Sequence, residues 1–185
     1  VFPGLDRTYP GLRVHHLDPL VLVADGVHSD DECDAYRALA GGESAHELSQ
    51  SATFSSLTAS GRTSTTWYVT YAAAHPLLAR AAALTGHPLD NCEEPQLVRY
   101  RPGESFSWHY DAVPPTMLAN GGQRLATLLV YLNDVPNGGR TAFRDLRAGS
   151  ERLGVAPRKG RALLFFPSAD ADGKKRSCLL YTSDA

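Results

Sequence analysis

Residues 96–112 read QLVRYRPGESFSWHYDA, from Gln96 to Ala112. The segment predicts a strand on Leu97, Val98 and Tyr100, a turn on Pro102-Gly103, and a second strand ending in His109-Tyr110-Asp111. In an extended chain, side chains two apart leave the same face. His109 and Asp111 therefore present an imidazole and a carboxylate side by side. That pair is two-thirds of the facial triad that holds non-haem Fe(II).

Composition bounds what can surround it. A chain of 185 residues is long enough for one domain with a sizeable core. The net charge of −2 and the absence of Lys/Arg runs argue against a nucleic-acid or membrane-surface partner. No apolar run approaches the roughly 20 residues of a membrane span. The three cysteines, Cys33, Cys92 and Cys178, form no CxxC pair. They fit neither a disulfide framework nor a thiolate zinc site. A Cys33–Cys92 bridge and free thiols both remain open, as does the compartment.

Outward from the central segment, the chain divides into helices followed by strands. Residues 1–19 carry no strong period and read as an extended lead-in. Leu20–Ala24 (LVLVA) is a short apolar strand between Pro19 and Gly26. Ser29 with Glu32 three residues on is a capping box, with Asp30 and Asp31 in an acidic first turn and Gly41-Gly42 as the stop. Residues 43–65 are Ser/Thr/Gly-rich and predict loop with room for one short strand. Thr66–Tyr71 (TWYVTY) predicts a strand. Pro76 suits the first turn of a helix through about Leu84, closed by Gly86 and Pro88. Beyond it, strands are predicted at 95–100, 105–111, 124–132, 141–143, 153–156 and 161–166. The expected fold is α+β with a mainly β core, a sandwich or jelly-roll barrel on an N-terminal helical support. Residues 1–90 form the support and 91–185 the β core, as one structural unit without a linker.

A lone His-x-Asp is weak support for a metal site, and this chain contains three: His16-Leu-Asp18, His28-Ser-Asp30 and His109-Tyr-Asp111. His28 precedes a helix cap, and Asp30 lies where a carboxylate favours the positive helix end. His16 and Asp18 sit in a Pro-flanked segment and read as surface residues. His109 and Asp111 end a strand and lead into a polar loop at 112–123, where a barrel mouth presents ligands.

Their neighbours add an ordered set. Tyr100-x-Pro-Gly, His109-x-Asp111, Gln123-Arg124-x-Ala-Thr127-x-x-x-Tyr131-Leu-Asn133, Gly138-Gly139-x-Thr141-x-Phe143 and Pro157-x-Lys159-Gly160-x-Ala162-Leu163-x-Phe165-Phe166 follow one another. This run closely resembles the prolyl 4-hydroxylase family of Fe(II)/2-oxoglutarate-dependent dioxygenases. The Asp-Asp-Glu-Cys33 helix start and Arg62-Thr-Ser64 are similar to that family's N-terminal part, so the resemblance spans about residues 18–173. It implies a double-stranded β-helix. It implies His109 and Asp111 as two iron ligands, and Tyr100, Thr127, Leu129, Tyr131 and Thr141 around 2-oxoglutarate. It further implies Arg124 near the peptide groove. Core packing accounts equally well for Thr127, Leu129 and Thr141, and a strand-end salt bridge for Arg124. The implied reaction hydroxylates peptidyl proline at C4, coupled to decarboxylation of 2-oxoglutarate to succinate. Fe(II), 2-oxoglutarate and O2 are the implied cofactors, with ascorbate as reductant. A Pro-rich peptide is the implied partner, and the endoplasmic reticulum or secretory pathway the implied setting.

The resemblance also demands a later histidine and, about ten residues on, a Lys or Arg for the distal 2-oxoglutarate carboxylate. No histidine follows His109. Tyr181 stands about where it is expected, and Lys174, Lys175 and Arg176 come too early. The similarity stops near Lys175, so the expectation is a truncated or foreign segment from Ser177 to Ala185, with the closing strand missing and a sheet edge exposed. The reading that follows is a chain that binds Fe(II) weakly and turns over little 2-oxoglutarate. A sister dioxygenase with another substrate, and a catalytically dead β-helix that only binds a partner, are the alternatives.

Overall fold

Short apolar runs separated by Pro/Gly turns pair into antiparallel sheets, and two of these sheets face each other. The computed structural model describes residues 4–43, 45–47, 61–167 and 179–182. In chain order the elements are β1 (Leu12–His16), β2 (Val21–Ala24), α1 (Asp30–Ala38), β3 (Ala45–Glu47), β4 (Thr65–Val69), α2 (Tyr71–Thr85), β5 (Gln96–Arg99), β6 (Phe106–Tyr110), β7 (Thr127–Val130), β8 (Thr141–Ala148), β9 (Glu151–Val155), β10 (Ala162–Phe165) and β11 (Leu179–Thr182). The first sheet runs β1-β2-β10-β7, the second β6-β11-β8-β9, and a smaller third β3-β4-β5. This is the expected mainly β jelly roll.

The inner faces of the two larger sheets make the main core. Val21, Val23, Leu163 and Phe165 from β2 and β10 meet Phe143, Leu146, Leu153 and Val155 from β8 and β9, with Leu129 packed alongside. Phe143 and Phe165 touch edge to face at 5.6 Å, an arrangement that contributes about 0.5–1.5 kcal/mol beyond area burial. On the other face of the first sheet, Leu22 and Leu164 join Leu84 of α2. With both faces covered, every residue of β2 and β10 is buried. That explains why VLVA and ALLF are continuous apolar runs and do not alternate.

The helices follow their signals with one displacement. Ser29 caps α1 in a complete capping box with Glu32. α2 starts at Tyr71 under a Thr70 cap, so Pro76 falls inside the helix and not in its first turn. A proline there removes one ladder hydrogen bond. The next amide, Leu77 N–H, donates to the Tyr36 hydroxyl of α1 at 3.0 Å, which ties the two helices together at the break. Gly160, at φ +77°, lets the turn before β10 press on the loop before α1; a Cβ there would collide with the His28 carbonyl oxygen.

Three expectations change. Residues 12–16, read as lead-in, form β1 and pair with β2. Strand pairing also crosses the division at residue 90: β2 lies beside β10, and β4 pairs with β5. The closing strand expected to be missing is occupied by β11, which pairs with both β6 and β8 and covers that edge. The short strand allowed within 43–65 is β3, while 48–60 lies outside the described residues, as do Lys174, Lys175, Arg176 and Cys178. Cys33 and Cys92 are both free thiols.

Candidate metal and cofactor site

Strand register decides which side chains share the interior. Leu180 is the partner of both His109 and Phe143, so His109 and Phe143 stand in one row across β6, β11 and β8. Side chains in one row project from the same sheet face. Phe143 is fully buried in the core, so His109 faces the space between the sheets. Thr141, two residues before Phe143, is buried on the same face. From the facing sheet, Thr127 and Leu129 register with Phe165 and Leu163 and share their inward side. The structure thus brings His109, Thr127, Leu129 and Thr141 together, with Tyr131 beside them in the core. Tyr100 follows β5 of the third sheet and is half-buried.

His109 and Asp111 converge. Nε2 of His109 lies 3.4 Å from Oδ1 of Asp111, with the side chains 12% and 16% exposed. Nδ1 of His109 lies 2.8 Å from the Ser107 carbonyl oxygen. A carbonyl only accepts, so Nδ1 is the donor in that bond and Nε2 is the nitrogen turned to the carboxylate. A proton on Nε2 makes the contact an ion pair, and its removal frees a lone pair that a metal can take beside the carboxylate oxygen. Two ligands about 2.1 Å from one metal, at right angles, are about 3 Å apart. The donor pair, the orientation of Nε2 and the spacing therefore fit a divalent first-row metal. Among the described residues, no group of three or more His, Cys, Asp or Glu side chains converges. The described residues supply two of a triad's three ligands.

Three groups hold the Asp111 side. The Thr127 hydroxyl donates to Oδ2 at 2.9 Å. Arg124 Nη1 donates to the Asp111 carbonyl at 2.8 Å and sits 3.9 Å from Oδ1. Burial pushes the Asp111 carboxyl up, but His109, Arg124 and the Thr127 hydroxyl outweigh it and hold it below the ordinary carboxylate value. Arg124 is itself gripped by Glu93, Nε to Oε1 at 2.8 Å and Nη2 to Oε2 at 2.7 Å. Its guanidinium is thus committed to Glu93 and Asp111. The Gln123 side chain takes both polar groups of the Val113 backbone, at 2.7 and 3.1 Å, and pins the loop after Asp111.

The Tyr131 hydroxyl donates to Thr141 Oγ1 at 2.9 Å, and burial pushes its pKa far above the ordinary phenol value. Tyr131 is therefore a neutral, fixed donor at the floor of the space. Sequence reasoning missed Glu93, Gln123 and the Ser107 carbonyl. Glu93-Glu94 before a strand gives no periodic signal, and a backbone carbonyl gives none at all. Of the decoys, His16 Nδ1 is bound locally to the Pro19 carbonyl at 2.8 Å, within β1 and its turn. His28 is buried against Arg80 and Glu32, away from the donor pair. Leu180, not Tyr181, is the register partner of His109; Tyr181 pairs with Ala142.

Known proteins share the architecture and part of the sequence. Residues 95–177 match the family model of the 2OG-Fe(II) oxygenase superfamily. A probable prolyl 4-hydroxylase 7 of Arabidopsis thaliana is 32% identical over 192 residues, covering 91% of this chain and 60% of the relative. Prolyl 4-hydroxylase 5 of the same plant is 37% identical over 50% of this chain and 38% of its own length. The chain thus spans from about a third to 60% of the curated relatives' length. A viral collagen prolyl hydroxylase from Paramecium bursaria Chlorella virus-1, solved as its 2OG complex, superposes with a TM-score of 0.64 at 23% identity, over 89% of this chain and 87% of its own. A Pseudomonas putida prolyl-4-hydroxylase does so with 0.59 at 16% identity, over 96% and 87%. These two share the fold, the double-stranded β-helix. Similarity that runs through nine-tenths of the sequence, together with the matching oxygenase segment, supports the prolyl 4-hydroxylase family of Fe(II)/2-oxoglutarate-dependent dioxygenases as the one this chain resembles.

Proposed function

We propose that the protein hydroxylates peptidyl proline at C4 in a reaction that consumes 2-oxoglutarate and O2 and releases succinate and CO2. The single observation that carries this reading is the His109–Asp111 pair, with Nε2 turned to a carboxylate oxygen at 3.4 Å inside the sheets. His109 and Asp111 would hold Fe(II), which with bound 2-oxoglutarate supplies the oxidising power for breaking the C–H bond.

The chain's own residues bind, orient and exclude water. Thr127 fixes the Asp111 carboxylate from Oδ2, leaving Oδ1 toward the metal position. Glu93 holds Arg124, and Arg124 holds the Asp111 backbone, so the arginine supports the metal ligand. Tyr131 and Thr141 offer hydroxyls, and Leu129 an apolar wall, to 2-oxoglutarate. Tyr100 is proposed as a further phenol for a carboxylate oxygen, and ascorbate as the reductant. A proline-bearing peptide as substrate is supported by two structural relatives: one is a collagen prolyl hydroxylase, another is complexed with a hypoxia inducible factor peptide fragment.

The test is mass spectrometry of a Pro-rich peptide after incubation of the full-length protein with Fe(II), 2-oxoglutarate and ascorbate. One added oxygen on proline together with succinate is expected. Succinate without oxygen on proline would transfer the reading to a sister dioxygenase. Neither product, with retained peptide binding, would make the protein a binding module.

A further inference from the structure

Resting on the metal reading above, a second feature concerns how His109 is held. Its imidazole lies flat on the Phe106 ring, with centroids 3.5 Å apart and planes 10° from parallel. Residues three apart in a regular strand face opposite sides. Here the register slips, because Thr182 pairs with Phe106 while Leu180 pairs with His109. The extra residue is a β-bulge, a device that re-aims a side chain. It turns Phe106 onto the same side as His109 and lays one ring on the other.

A segment about 45 residues upstream in the sequence grips this bulge. Arg62 forms an isolated antiparallel bridge with Phe106. Thr63 N–H donates to the Ser105 carbonyl at 3.0 Å, and Ser105 N–H returns a bond to Thr63 Oγ1 at 2.9 Å. Ser107 N–H donates to the Gly61 carbonyl at 2.6 Å. The carbonyl of this same Ser107 accepts from His109 Nδ1. The Arg62 guanidinium lies over the Phe106 ring at 4.8 Å and is steadied by Nε–H to Ser64 Oγ at 2.8 Å. Since the imidazole covers one face of Phe106, the guanidinium takes the other. Two restraints on His109 thus refer back to residues 61–64: its Nδ1 hydrogen bond through Ser107, and its ring plane through Phe106.

We propose that Phe106, backed by Arg62, is the positioning residue that fixes the His109 ring plane for metal ligation, and that residues 61–64 are the clamp that holds it. The role is distinct from touching substrate. Its signature is a loss of metal affinity and a freed imidazole that an aromatic replacement repairs and an aliphatic one does not.

The experiment compares the parent chain with Phe106→Leu, Phe106→Tyr and Arg62→Met. Mn(II) affinity is read by electron paramagnetic resonance of the bound ion, and the metal-free His109 ring by its proton and nitrogen NMR shifts. Phe106→Leu is expected to weaken Mn(II) binding about tenfold, the scale of losing an outer partner of a metal ligand. It is also expected to abolish the upfield ring-current shift of the His109 protons. Phe106→Tyr should restore both, and Arg62→Met should weaken Mn(II) binding about threefold, as loss of a cation–π contact implies. Phe106→Leu binding Mn(II) within twofold of the parent, or Phe106→Tyr failing like Phe106→Leu, would overturn the proposal. If Phe106→Leu does not fold, Arg62→Met alone decides, and unchanged affinity there counts against the clamp. Mn(II) affinity that is unmoved by His109→Ala would instead sink the metal reading. The ring-current shift in the metal-free chain would still show whether the stack exists.

Discussion

Thr127 illustrates how one hydroxyl serves two residues' worth of argument. A threonine on an inward strand face is ordinary core filling, yet its Oγ1 donates to Asp111 Oδ2 at 2.9 Å. Replacing it by valine keeps the shape and removes the donor, leaving a carboxylate oxygen unpaired in a poorly solvated place. Thr127→Val should lower Mn(II) affinity about tenfold and the thermal midpoint of the metal-free chain by a few degrees; titration monitored by paramagnetic resonance checks the first. Affinity within twofold of the parent would show that Arg124 and His109 alone fix Asp111. Gly160 makes the corresponding point for stability. At φ +77°, with the His28 carbonyl oxygen against its Cα, it admits no side chain. Gly160→Ala should cost about 2 kcal/mol or more, read as a lower urea midpoint at unchanged slope.

Between elements, the joint of α1, α2 and the turn before β10 turns on His28. Its ring is fully buried; Arg80 Nη1 lies 2.7 Å from Nδ1, and Arg80 Nη2 bonds Glu32 at 2.6 Å. A guanidinium only donates, so Nδ1 accepts and the imidazole is neutral, with its Nε2 proton buried and unpaired among the described residues. Burial and the Arg80 charge push its pKa below the ordinary histidine value, against the opposing pull of Glu32. Folded His28 thus binds a proton less readily than unfolded His28. The stability it contributes is complete above the ordinary value of about 6.5 and is lost as pH falls below that. Glu32, whose pKa is lowered to about 2 by the Ser29 backbone and Arg80, adds a second loss at more acid pH, between the ordinary carboxylate range and about 2. Urea midpoints should therefore drop between pH 7.5 and 5.5, and His28→Asn should flatten that first drop. An unchanged slope in the variant would place the titration elsewhere. None of this joint was legible in the sequence beyond the capping box, because His28-Ser-Asp30 reads as a capped helix start. Its burial comes from Gly160 and Arg80, which lie far away along the chain.

Across the whole molecule, legibility follows how completely local pattern determines environment. β2 and β10 were readable because they are buried on both faces. β1 was not, because an edge strand with Val14 exposed and Arg13, His15 and His16 in five residues carries no alternation. The donor pair was readable from His109-x-Asp111, whereas its supports were not: Glu93 and residues 61–64 reach it only through the third sheet and the bulge in β6. The place of a third ligand, which no described residue fills, is where sequence spacing and strand register part. Spacing put Tyr181 at the expected histidine, but β11 is inserted between β6 and β8 with Leu180 opposite His109. Directly opposed residues of an antiparallel pair have Cβ atoms about 4.5–5.5 Å apart, close enough for two imidazoles to share a metal. Leu180→His should therefore complete the donor set and tighten Co(II) binding by about tenfold or more, with a visible absorption band typical of mixed nitrogen and oxygen coordination. Tyr181→His, registered with Ala142 and outside the row, should change affinity by less than about twofold. If Tyr181→His tightens binding and Leu180→His does not, β11 is shifted by one residue. The row that joins His109 to Phe143 would then have to be redrawn.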